Sequence, residues 1–133
     1  MGSSIKITED NRSGQFELST DDESGVALIN QTGSEINNLS IQAEGEWSNE
    51  LNSNVEAEGN VAWIGDRQKL KYPLLAPLSL VGVNNSDDND VFLIGKSRSV
   101  ILRANGKFTL VINAPSGTYP QNKGHLTISW QAS

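Results

Sequence analysis

"KFTLVINAPSGTYPQNKGHLTISW", Lys107 to Trp130, decides how this chain is read. On either side of its centre the apolar residues fall on every second position, as Phe108, Leu110 and Ile112, and then as Leu126, Ile128 and Trp130. A period of two belongs to a strand with one buried and one solvated face. Between the two runs lies Asn113–Gly124, rich in amides, hydroxyls and carbonyls and free of carboxylates. That stretch is too long and too polar for a tight hairpin turn. Its residue types suit the holding of an ion or a sugar.

Working outward, the same alternation recurs along the chain. "SIKITE", "QFELST", "GVALIN", "INNLSIQAEG", "NVAWIG", "PLSLVGV", "DVFLIG" and "SVILRA" bring the candidate strands to about ten, separated by turn-forming clusters at the spacing of a sandwich or barrel. In the fourth of these, Leu39, Ile41 and Ala43 share one face. Asn105-Gly106, between "SVILRA" and "KFTLVI", is the strongest local hairpin signal, a type I′ turn needing positive φ at both central positions. No segment carries an apolar stripe at helical spacing. The reading is all-β: one antiparallel, jelly-roll-like β-sandwich spanning residues 1–133 as a single domain, with "MGSS" at its start read as an expression remnant of no structural weight.

Composition narrows the function classes. The 133 residues contain no cysteine, which excludes disulfides, thiolate nucleophiles and cysteine-held zinc. No apolar run approaches the roughly 20 residues of a membrane span, and the first residues lack the pattern of a secretory signal. The sequence leaves the compartment open between the cytoplasm and a non-classical route out of the cell. Met1–Asp66 holds 13 acids and 2 basic residues, whereas Arg67–Ser133 holds 3 acids and 8 basic residues. If the halves interleave in space the charges mix. If they do not, opposite faces favour head-to-tail self-association. The net charge of −6 argues against nucleic acid as a partner.

Candidate chemistry is sparse. His125, the single histidine, has no nucleophile-elbow sequence to serve and reads as a strand-end residue. Glu44, Glu46, Glu50, Glu56 and Glu58 offer carboxylates, but nothing in their spacing sets the separation glycoside hydrolysis needs. No enzyme is expected. "NNSDDND", Asn84–Asp90, lacks the turn glycine and closing glutamate of a calcium loop and reads as a solvated hairpin tip. "SNELNSNVEAEGN", Ser48–Asn60, is the longest polar connection, of a length that is usually functional or mobile. Trp63 and Trp130 fall within apolar runs and are assigned to the core, leaving Trp47 as the tryptophan open to a ligand. Tyr72, in the proline-led "KYPLLAPLSLVGV", is read both as a ligand-facing and as a structural aromatic.

From Tyr72 onward the serial order "APLSLVGV", "VFLIG", "RANGKFTLVIN", "APSGTYPQNKG", "HLTISW" resembles the bacterial PA-I-like galactophilic lectins, small β-sandwich proteins that bind galactose through calcium. The first half matches more loosely, chiefly in "LSIQAEGEW". The family's loop runs approximately Asn-Asp-x-Pro-Gly-Thr-Tyr-x-Asn-Asn-x-Gly. On it, Asn113, Gly117, Thr118, Tyr119, Asn122 and Gly124 match, and Gln121 replaces an asparagine. The resemblance implies calcium ligands at Asn113, Thr118, Gln121 and Asn122, with Glu50 as a further one from the loop after Trp47. It also implies sugar contacts from Thr118, Gln121 and Asn122, with Trp47 or Tyr72 stacking on the ring. Ala114 stands where the family has its calcium-chelating aspartate. Losing that carboxylate costs most of the calcium affinity unless Glu50 compensates, and Lys123 adds an unfavourable charge nearby. The implied function is a non-catalytic, lectin-like module for carbohydrate, galactosides first, with a degraded calcium site. It would act through multivalency as a homo-oligomer or as part of a larger protein. The alternative on the same fold is a protein-interaction or assembly domain with no sugar site.

Overall fold

The computed structural model describes residues 3–49, 52–60, 63–85 and 87–133. Among these residues ten strands form two sheets that face each other: β1 (Ser3–Ile7), β2 (Ser13–Ser19), β3 (Val26–Asn30), β4 (Ile36–Glu44), β5 (Trp47–Ser48), β6 (Leu80–Asn84), β7 (Val91–Leu93), β8 (Ser97–Leu102), β9 (Lys107–Ile112) and β10 (Lys123–Ala132). One sheet runs β1-β3-β9-β6-β7. The other runs β2-β10-β4-β8, with the two-residue β5 added against the start of β10. No described helix is long and apolar enough to cross a membrane.

The alternation seen in sequence is what closes the sandwich. Leu126, Ile128 and Trp130 of β10 and Leu39, Ile41 and Ala43 of β4 are all buried, as are Leu28, Leu80, Phe108, Leu110 and Ile112 of the other sheet. Burying such a side chain contributes about 1.5–3 kcal/mol, so the periodicity fixes which face of each strand turns inward. In β4 a register shift between Ile36 and Leu39 lets both, three residues apart, reach the interior. Among the described residues every pairing between strands is antiparallel except that of β1 with β3, which is parallel because β2 crosses to the other sheet between them.

Three local expectations are corrected. Asn105-Gly106 is not a hairpin turn: β8 pairs with β4 and β9 with β3 and β6, so the connection arches from one sheet to the other. Its turn centres on Ala104-Asn105, closed by the Gly106 N–H donating to the Arg103 carbonyl at 2.9 Å, and among its non-glycine residues only Asn105 has positive φ, at 62°. The buried Asn30 side chain holds the arch, its amide donating to the carbonyls of Leu102, Arg103 and Ser34. "NVAWIG" is not a strand over its described residues, Asn60 and Trp63 to Gly65. Ser3 and Ser4 do carry structural weight, pairing with Val26 and Ala27.

The sequence halves interleave in the second sheet, whereas in the first β1 and β3 lie together beside β9, β6 and β7. In the second sheet β2 and β4, from the acidic half, alternate with β10 and β8 from the basic half. Lys96 meets Glu56 at 2.8 Å and Glu58 at 3.3 Å, and His125 lies 3.4 Å from Glu17.

Candidate functional site

The loop Asn113–Gly124 joins β9 to β10 and so passes from one sheet to the other, as the 103–106 arch does. Its first residue is committed to the scaffold. Asn113 is fully buried. Its Oδ1 accepts from the Tyr72 N–H at 2.9 Å, and its amide donates to the carbonyls of Tyr72, Leu75 and Ala76 at 3.0–3.3 Å. Ala114 is buried too, its N–H donating to the Tyr119 hydroxyl and its carbonyl accepting from the Lys71 N–H. The Tyr119 hydroxyl in turn donates to the Ile112 carbonyl. Tyr119 therefore staples the loop onto the strand it leaves, which is why this aromatic is 1% exposed within a polar stretch.

Past that staple the loop turns outward. The Thr118 hydroxyl donates to the Pro115 carbonyl at 2.7 Å, and a 3-10 turn over Tyr119–Gln121 brings Gln121 and Asn122 beside Thr118. Gly117, at φ 86°, takes the backbone conformation that a side chain would strain, and its N–H donates to the Glu23 carboxylate at 3.3 Å. The buried Asn122 donates its amide to the Thr20 carbonyl at 2.9 Å. That bond fixes the amide, so Oδ1 is the group Asn122 has to offer.

These residues form one wall of a cavity of about 150 Å³ lined by Asn49, Asn52, Trp63, Pro115, Thr118, Gln121 and Asn122. The opposite wall comes from the Ser48–Asn60 connection. Asn49 Oδ1 accepts from the backbone N–H and the side-chain amide of Asn52, and Asn52 Oδ1 accepts from Asn60. Trp63 is half-buried and its ring lies against Gly65, where an added Cβ would stand 2.1 Å from it. The space is thus a small polar pocket of amides and one hydroxyl beside an indole ring. Clefts that take drug-sized ligands run to roughly 300–1,000 Å³, so this one has room for a single small ring.

The structure brings together Thr118, Gln121 and Asn122 and leaves out the two aromatics chosen for them. Trp47 is 2% exposed and sits in the core, its backbone paired with Val55 and Gly124, so no face of its ring is open for stacking. The assignment of tryptophans is corrected: Trp47 is the core residue, and Trp63, expected inside, is the one facing the pocket. Tyr72 is buried against a different cavity. Asn49, Asn52 and Trp63 were missed as site residues. The signal available was the length of the Ser48–Asn60 connection, which marked the segment without marking its residues.

The described residues do not fit calcium. Among the described residues the pocket presents amide and hydroxyl oxygens and no carboxylate, whereas calcium takes six to eight oxygens with charge among them. The Asn113 oxygen implied as a ligand already serves the Tyr72 N–H, and the Ala114 methyl is in the core. No group of three His, Asp or Glu side chains among the described residues could hold a metal. Glu50 lies outside the described residues.

No protein-family model and no curated protein matches the chain. Among solved structures it is similar to one described as "EclA N-terminal domain; PllA-like lectin", at a TM-score of 0.57 and 19% identity, over 92% of this chain and 96% of that one. At that identity the likeness is one of fold: this chain has the β-sandwich of a lectin domain.

Proposed function

We propose that the chain is a non-catalytic carbohydrate-binding module whose sugar sits between Trp63 and the Thr118–Asn122 turn. The observation that carries this reading is the meeting of an indole ring with hydrogen-bonding amides in a pocket sized for one ring. A pyranose has the matching chemistry, with C–H bonds on its faces for the aromatic and hydroxyls around its edge for the amides. Asn122 offers an oxygen, Gln121 both a donor and an acceptor, and Thr118 an acceptor. The lectin fold of the solved neighbour supports the class of ligand. The described lining, amides and one hydroxyl, suits the hydroxyls of a neutral sugar. So small a site binds weakly alone and gains avidity when copies are linked. The rival reading is an assembly domain, for which the charge asymmetry is weakened in the second sheet, where strands of the two halves alternate.

A glycan array followed by tryptophan-fluorescence titration of its best monosaccharide, in EDTA and again in millimolar calcium, tests the proposal. Saturable binding that is equal in both buffers and lost in Trp63→Ala supports it. Absence of any glycan hit would sink it, and binding that requires calcium would return Glu50 to the site.

A further inference from the structure

Two features singled out in the sequence, Tyr72 and the acidic tip Asn84–Asp90, are not used by the sugar pocket, yet they meet each other. The β6–β7 hairpin folds back so that Asp88 accepts a hydrogen bond from the Tyr72 hydroxyl at 3.3 Å. Between them opens a cavity of about 400 Å³ lined by Lys71, Tyr72, Pro73, Leu74, Leu75, Asp88, Asn89 and Val91. It falls within the size range of small-ligand clefts.

The three acids of the hairpin have different tasks. Asp87 accepts from the Asn89 N–H and Asp90 from the Asn84 amide, so both shape the turn. Asp88 faces the cavity, and among the described residues no cation pairs with it. The Lys71 ammonium beside the cavity is turned to the Glu23 carbonyl at 2.6 Å. The remaining lining is mainly aliphatic, and Leu74 at its edge is 99% exposed, the most exposed large apolar residue described. A solvent-exposed carboxylate beside apolar walls and an exposed leucine suits a ligand with a positive head and an apolar body.

We propose that this cavity binds an amphiphilic cation, its ammonium or guanidinium held on Asp88 beside the Tyr72 hydroxyl and its hydrocarbon against Pro73, Leu74, Leu75 and Val91. A free amine and the basic side chain of a polypeptide share this chemistry. The proposal does not depend on the sugar reading, since no residue is common to the two cavities.

The test is a two-dimensional NMR titration of the intact chain with hexylammonium, with 1-hexanol as its neutral counterpart, and with N-acetyl-Leu-Lys amide. Hexylammonium or the dipeptide should shift the amides of Tyr72, Leu74, Leu75, Asn89 and Val91 saturably. Affinity should fall about tenfold or more for 1-hexanol and for Asp88→Asn, as loss of a charge-assisted hydrogen bond implies. Tighter binding of the dipeptide than of hexylammonium assigns the site to a polypeptide, and the reverse order to a free amine. Absence of saturable shifts with both cations overturns the proposal, as does equal affinity for 1-hexanol or an Asp88→Asn variant that binds as well as the parent.

Discussion

Trp47 and Trp63 show how little a residue's type says about its task. Trp47 follows the polar "EGE" yet pairs through its backbone with Val55 and sinks into the core, whereas Trp63, within an apolar run, stands half-buried on a connection between strands. Truncating Trp47 to alanine should cost about 3–5 kcal/mol, visible as a large drop in melting temperature. Trp63→Ala should change the melt little and abolish monosaccharide binding; a large loss of stability in Trp63→Ala would place that ring in the core after all. The two tyrosines give a second prediction. Burial first, then the negative charge of Asp88 and its hydrogen bond, push the Tyr72 hydroxyl from 10.0 up to about 12. Burial raises Tyr119 as well, against a smaller opposing effect of the Ala114 N–H. A raised folded value means that the neutral form is favoured by folding. The contribution is whole below pH 10, the ordinary tyrosine value, and is lost as pH rises through the folded values. Near-ultraviolet absorbance of tyrosinate should therefore stay flat past the normal tyrosine range and rise with alkaline unfolding. Ordinary titration of both hydroxyls in the native protein would contradict this. Thr118, Gln121 and Asn122 were legible as a group because sequence neighbours in a loop stay together. Asn49, Asn52 and Trp63 reach the same pocket from far along the chain, and nothing local encodes that meeting.

At the scale of elements, period-two alternation carried nearly the whole strand inventory, because each strand has one face against the opposing sheet. It could not say which strands pair. Asn105-Gly106 looked like a hairpin because turn chemistry is local, while the partners of β8 and β9 are set by the buried faces of distant strands and by Asn30 beneath the arch. "NVAWIG" shows the opposite failure: over its described residues no ladder forms, Trp63 is half-buried and Ile64 is exposed. Gly82 in β6 was equally silent. It pairs with Leu110 of β9 and Phe92 of β7, and the Phe108 ring lies across it so closely that an added Cβ would be 2.1 Å from the ring. Phe92 and Phe108 then pack at 5.5 Å between centroids. Gly82→Ala should displace the Phe108 ring and cost about 1–3 kcal/mol, the usual penalty of overpacking, read as an earlier midpoint in urea. An unchanged midpoint would mean that the aromatic pair yields freely. Beyond this pair the sheet ends at β7, whose Leu93 carbonyl is taken by the Arg98 guanidinium at 2.7 Å. A strand of three residues with an occupied acceptor is a poor template for a further strand.

For the whole molecule the question is what becomes of the charge asymmetry along the chain. A net of −11 on Met1–Asp66 and +5 on Arg67–Ser133 would make a strongly dipolar particle if each half folded as a block. Instead the second sheet takes its strands alternately from the two halves, and the Lys96 and His125 contacts join acids of the first half to basic groups of the second. Exposed pairs such as these are individually worth little, but alternating the strands brings acids and bases of the two halves together in the second sheet, which works against head-to-tail stacking. The net charge of −6 makes copies repel weakly at long range. Head-to-tail attraction between unlike faces would weaken as salt rises and the Debye length shrinks, from about 30 Å at 0.01 M to about 3 Å at 1 M. The expected outcome in sedimentation velocity is the reverse of that signature: no loss of sedimenting mass between low and high salt at equal protein concentration. Any association that does occur should then respond to uncharged contacts. A particle that dissociates on adding salt would show that the halves, although interleaved in the sheets, still present opposite charges on opposite faces.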